Sequence, residues 1–124
     1  MENAVAHILV ADDDEILCEM LKFRLENEGY GVTVVTDGLA ALSKLEEGDI
    51  DLVILDFMMP IVAGPEVLAR MKGSDDLAEI PVIMLTARRA ESDVVSLLKS
   101  GVDEYVIKPF IPAELLVRIE KQLR

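Results

Sequence analysis

Residues 53–60 read VILDFMMP. An apolar run stops at Asp56, and Pro60 follows four residues later. A buried strand has no use for a carboxylate, because burying an unpaired charge is costly. Asp56 is therefore either the turn residue that ends a strand or a group placed at the strand's end to react. The run before it does not alternate with polar residues, so it reads as a strand covered on both faces, as in a parallel sheet.

Four similar runs lie on either side: HILVA, VTVV, PVIML and YVI. Helical patterns separate the five. From Asp14 to about Glu28, Leu17, Met20, Leu21 and Leu25 fall on one face. The second helix spans about Gly38 to Glu47, with Ala41, Leu42 and Leu45 inward. The third starts near Pro65, a favoured first-turn residue, and carries Leu68 and Met71. The fourth covers about Glu91 to Ser100 and has Val94, Leu97 and Leu98, and the fifth starts at Pro112 and buries Leu116, Ile119 and Leu123. Gly29, Gly48, Gly73 and Gly101 stand where the first four helices should stop. The order βαβαβαβαβα, closed by right-handed crossovers, predicts a doubly wound α/β domain.

The 124 residues suit one domain, with no repeat, linker or low-complexity segment. A 52% hydrophobic content argues against disorder. Cys18 is the single cysteine, so no internal disulfide forms, which fits a reducing compartment. No signal peptide and no membrane-length apolar run is seen, and a cytoplasmic, soluble protein is expected. The net charge of −12 argues against direct nucleic-acid binding, which needs clustered Lys and Arg. Most acidic residues are expected to solvate the surface; those at strand ends are candidates for holding a cation.

In an open parallel sheet, ligands bind beyond the carboxyl ends of the strands. The first strand ends in Asp12, Asp13 and Asp14, the third in Asp56, the fourth in Thr86 and the fifth in Lys108–Pro109. Each alone has a plain structural explanation as a turn or cap residue. Together they bring carboxylates, a hydroxyl and an ammonium to one edge, which four independent turns explain poorly. Thr36 and Asp37 after the second strand look like an ordinary helix N-cap.

With ILVADDDE, LVILDFMMP, IMLTA and EYVIKPF in this order and spacing, the chain resembles the receiver domain of two-component response regulators over essentially its whole length. The resemblance implies a flavodoxin-like five-stranded parallel sheet, strand order 2-1-3-4-5, with five helices, and a single receiver domain over 1–124 with no effector domain in these residues. It implies that Asp56 accepts a phosphoryl group from a phosphohistidine. It also implies that Asp13, Asp56 and the Met58 backbone carbonyl hold Mg²⁺, with Asp12 on a metal-bound water. Asp12, Asp13 and Asp56 would place −3 in one pocket; Lys108 returns +1 and Mg²⁺ adds +2, bringing the sum to zero. Lys108 would pair with one phosphoryl oxygen and the Thr86 hydroxyl with another. Asp14 is read as a cap on the first helix.

By the same resemblance, Thr86 and Tyr105 would switch position on phosphorylation and alter the face of the fourth helix, fifth strand and fifth helix. Tyr105 also reads simply as a strand aromatic. In the family, the positions of Met58 and Arg88 flank the path of the hydrolytic water, so the resemblance implies that these two residues tune phosphoryl lifetime. The implied partners are a sensor histidine kinase or phosphotransfer protein, and a downstream effector protein or fused effector domain.

The chain departs from the family at Ala63, where an aspartate is common, and at Ile111, where a serine often caps the fifth helix. Arg118, Glu114, Asp103 and Glu104 match the ion pairs by which many DNA-binding members dimerise, but Val94 stands where a basic residue is usual. A monomer or weak homodimer is expected. Three other readings compete. ADDDEI partly resembles a haloacid-dehalogenase-type phosphatase motif with Asp12 as nucleophile, but Ile16 falls where Thr or Val is expected. A flavin site would need a Ser/Thr/Gly-rich loop where this chain has three aspartates. A receiver that serves only as a docking surface remains the third.

Overall fold

The computed structural model describes residues 5–87 and 91–124, the side chains of 91–94 excepted. Five strands alternate with five helices: β1 (His7–Ala11), α1 (Glu15–Asn27), β2 (Gly31–Val35), α2 (Gly38–Glu47), β3 (Leu52–Asp56), α3 (Gly64–Lys72), β4 (Val82–Thr86), α4 (Glu91–Lys99), β5 (Glu104–Ile107) and α5 (Pro112–Leu123). All strand pairs are parallel and the sheet order is β2-β1-β3-β4-β5, as the resemblance implies.

β1, β3 and β4 are buried almost throughout, which is why their sequences do not alternate. Successive side chains feed two cores. Leu9, Val53, Leu55, Val82 and Met84 pack with α2, α3 and Leu97 of α4. Ile8, Val10, Leu52, Ile54, Ile83 and Leu85 pack with α1 and α5. β2 and β5 form the edges and are only half-buried.

Asp14 and Asp37 cap α1 and α2, accepting from the amides of Leu17 (3.1 Å) and Ala40 (2.7 Å). Neither α3 nor α5 has a side-chain cap; Ala63 and Ile111 occupy those positions, and Pro lies in each first turn. On α4 and α5 the structure separates the apolar positions further. Leu98 is 56% exposed, and Leu97 takes the core position on α4. On α5, where Leu116, Ile119 and Leu123 are expected to be buried, Ile119 and Leu115 are buried while Leu116 and Leu123 are only half-buried. Neighbouring residues on a helix point about 100° apart, and here the two leucines of each pair are buried to different depths. Val94's side chain lies outside the described residues.

Among the described residues, no helix is long and apolar enough to cross a membrane.

Candidate acidic phosphoryl and metal site

The parallel register gathers the polar residues that end four strands. Ala11 pairs with Leu55, so Asp12 is level with Asp56. Asp56 pairs with Leu85, one residue before Thr86. Thr86 pairs with Ile107, one residue before Lys108. The backbone continues these ladders past the strands: Asp12 N–H donates to Val35 O (3.1 Å), Phe57 N–H to Leu85 O (2.8 Å), and Lys108 N–H to Thr86 O (2.8 Å). Side chains up to 96 residues apart in the chain thus meet at one edge.

Asp12 is fully buried, Asp56 is 6% exposed and Thr86 1% exposed, while Asp13 faces solvent. Lys108 Nζ donates to Asp12 Oδ2 at 2.8 Å and to Asp56 Oδ1 at 3.3 Å. The other Asp12 oxygen accepts the Asp14 amide at 2.9 Å. Both oxygens of Asp12 are therefore held, which suits an orienting role better than a nucleophile's. Asp14 supplies its amide to Asp12 and its carboxylate to the α1 cap, so the plain reading of its side chain stands.

Burial, and then the neighbouring Asp12 charge, push the Asp56 carboxyl up from 3.8 to about 6, although Lys108 opposes the shift. Burial alone would lower the Lys108 ammonium; its hydrogen bond to Asp12 and the charges of Asp56 and Asp12 outweigh this and raise it. Among the described residues, the pocket thus holds more negative charge than the Lys108 ammonium neutralises. Carboxylate oxygens of Asp12, Asp13 and Asp56 all lie within 4.8 Å of one another. That spacing suits a single hard cation bound through oxygen, and Mg²⁺ takes oxygen ligands at about 2.1 Å in an octahedron.

The β3–α3 loop follows Asp56. Phe57 and Met59 turn toward the core and Met58 is 64% exposed. Gly64 keeps this loop closed despite Ala63: its amide donates to Phe57 O at 3.1 Å, and a Cβ there would stand 2.2 Å from Asp56 O. Tyr105 is not in the pocket. It pairs with Met84 on β5, half-buried, and shares a sheet face with Thr86. Arg88 lies outside the described residues.

Three contacts are not evident from sequence. Cys18 Sγ donates to the Asp12 carbonyl at 3.1 Å from beneath the pocket. The backbone of Asp14 fixes Asp12. Gly38, at the start of α2, touches the β3–α3 loop. Cys18 carried only a helical apolar spacing, and Gly38 only the mark of a helix start.

A profile of the response regulator receiver domain matches residues 8–120. The sensory transduction protein RegX3 of Mycobacterium tuberculosis is 42% identical over 117 residues, 94% of this chain and 50% of RegX3. A Francisella response regulator receiver domain superimposes with a TM-score of 0.90 at 33% identity, covering 95% of this chain and 96% of that one. The receiver domain of a Pseudomonas aeruginosa sensor histidine kinase, solved with a magnesium ion in its active-site cleft, superimposes at 0.88 with 28% identity, covering 97% and 98%. The chain spans about half the length of the curated relatives it matches. With the fold, the strand-end residues and a family match over nearly its whole length in agreement, the chain belongs to the receiver domains of two-component response regulators.

Proposed function

We propose that this receiver domain takes a phosphoryl group from a phosphohistidine onto Asp56 and catalyses only its own phosphorylation and dephosphorylation. One observation carries the proposal: Asp12, Asp13, Asp56 and Lys108 converge at the carboxyl edge of the sheet, with Asp56 buried and raised to about 6. At neutral pH that carboxylate is mostly ionised. An oxygen of Asp56 attacks phosphorus, the donor's phosphorus–nitrogen bond breaks, and the departing imidazole keeps that electron pair and takes up a proton. An acyl phosphate is left on Asp56.

Asp13, Asp56 and the Met58 carbonyl would hold Mg²⁺, with Asp12 orienting a water of its shell. When bound, the ion neutralises the carboxylates and the charge spread over the phosphoryl oxygens. Lys108, which bridges Asp12 and Asp56, would pair with one phosphoryl oxygen. Thr86 supplies a hydroxyl to another oxygen. Its inward movement, followed by Tyr105 on the same sheet face, would alter the α4–β5–α5 surface and shift a two-state equilibrium. Met58, apolar and unable to orient water, lengthens phosphoryl lifetime; Arg88 is proposed to share in that tuning.

The donor is proposed to be a sensor histidine kinase or a phosphotransfer protein, and the target a downstream effector protein or fused effector domain, in the cytoplasm. The domain itself contacts neither nucleic acid nor membrane, in keeping with its net charge of −12. It is a monomer or weak homodimer. Arg118, a candidate for dimer ion pairs, is already engaged within the chain by Glu104 (2.6 Å) and Glu114 (3.0 Å).

Intact-mass spectrometry after incubation with acetyl phosphate tests the site. One added phosphoryl group is expected with Mg²⁺, none in EDTA, and none in Asp56→Asn. An adduct that survives Asp56→Asn would reject Asp56 as acceptor.

A further inference from the structure

The loop between Asp56 and α3 contains a turn that an isoleucine adopts only at a cost. Ile61 has φ 70°, and the Val62 amide donates to the Pro60 carbonyl at 2.8 Å, closing a three-residue turn. A β-branched residue at positive φ is a true outlier, and such strain persists only where the surroundings fix it. Ile61 is itself exposed, so its own packing does not supply the restraint.

The restraint comes from α2. The Gly38 amide reaches the same Pro60 carbonyl at 3.5 Å. A Cβ on Gly38 would stand 1.9 Å from the Val62 carbonyl oxygen and 2.6 Å from its carbonyl carbon. Both ends of the strained turn thus rest on one glycine. Its requirement for glycine is one of space, because the clash is with backbone rather than with a flexible side chain. Val62 itself is buried in the core that α2 helps to form.

We infer that Gly38 is a positioning residue for cation binding: by seating the start of α2 against Pro60 and Val62, it fixes the loop that carries the Met58 carbonyl. The inference rests on the magnesium site proposed above. The added methyl of Gly38→Ala has no room unless the Val62 carbonyl moves by more than an ångström, and the path from Val62 back to Met58 is four residues long.

The test is Mg²⁺ titration by calorimetry, without phosphoryl donor, of wild type, Gly38→Ala and Asp37→Ala. Asp37→Ala removes the cap from the same helix but adds nothing toward the loop. Gly38→Ala is expected to weaken Mg²⁺ binding roughly tenfold, the low end of what outer-shell changes cost at metal sites. It should also shift the amide resonances of Met58 and Met59, while Asp37→Ala keeps wild-type affinity. Equal affinity in Gly38→Ala and wild type, or equal losses in both variants, overturns the positioning role. Should Gly38→Ala not fold, Val62→Ala loosens the same seat without a clash and must weaken binding; unchanged affinity there also overturns it. A wild type that binds no Mg²⁺ sinks the metal site and the inference together, whereas the preceding failures sink only the inference.

Discussion

Asp56→Asn should make the metal-free protein more stable at neutral and alkaline pH. The side chain keeps its shape and loses its charge. An ordinary carboxyl titrates near 3.8, and Asp56 in the folded protein near 6. The folded state therefore holds this proton over a pH window where the unfolded chain has released it. Because the folded state binds more protons there, stability falls as pH rises from about 4 through about 6. Above that window the penalty is complete. Raising the carboxyl from 3.8 to about 6 costs the ionised folded state about 3 kcal/mol. For a domain of this size that is about 10 °C in melting temperature. The assay is thermal unfolding of both proteins in EDTA at several pH values from 4 to 8, taking the difference at each pH so that other acids cancel. The gap should be near zero at the acid end and open to its full size by pH 8. Added Mg²⁺ should narrow it by stabilising only the wild type. An Asn variant that melts at or below wild type at pH 8 in EDTA would refute the picture of Asp56 as a desolvated, crowded carboxylate.

Three further outcomes follow from the same site. Lys108→Ala leaves Asp12 and Asp56 without their cation; urea unfolding in EDTA should show a loss of about 2 kcal/mol, below the usual cost of breaking a buried pair because Lys108 is 25% exposed. Ile61→Gly relieves the positive φ at a cost in chain entropy, and should gain roughly 0.5–1 kcal/mol in the same measurement. Met58→Asn places an amide where the exposed methionine cannot orient water, and should shorten the phosphoryl half-life followed by intact mass; a longer half-life would count against the proposed role of Met58.

The order of elements was readable because each strand that lies between others is buried on both faces, which leaves an uninterrupted apolar run in the sequence. The edge strand β2 was readable for another reason: Val32, Val34 and Val35 keep β-propensity although only half-buried. Inward positions were less legible on α4 and α5, where adjacent leucines fit a helical stripe equally well and only the angle of the helix on the sheet decides between them. Asp12, Asp56, Thr86 and Lys108 were legible as a group because parallel strands end on one edge, so a residue's place along the chain gives its place in space. Nothing comparable marks Gly38. Its partner is a loop carbonyl 24 positions later (62 − 38), and the contact depends on a backbone path that no residue pattern encodes. Cys18 beneath Asp12 is similar: it occupies a helical core position like any small apolar residue, and its bond to a carbonyl follows from the tertiary fold.

The site of covalent attachment can be read by reducing the phosphorylated protein with borodeuteride, which converts an acyl phosphate to a labelled alcohol, and locating the label by tandem mass spectrometry of peptides. The structure and the proposed chemistry predict a single label, at residue 56, present only when Mg²⁺ was supplied. A label at Asp12 or Asp13, or none in protein whose intact mass had risen by one phosphoryl group, would contradict the assignment of Asp56 as the acceptor.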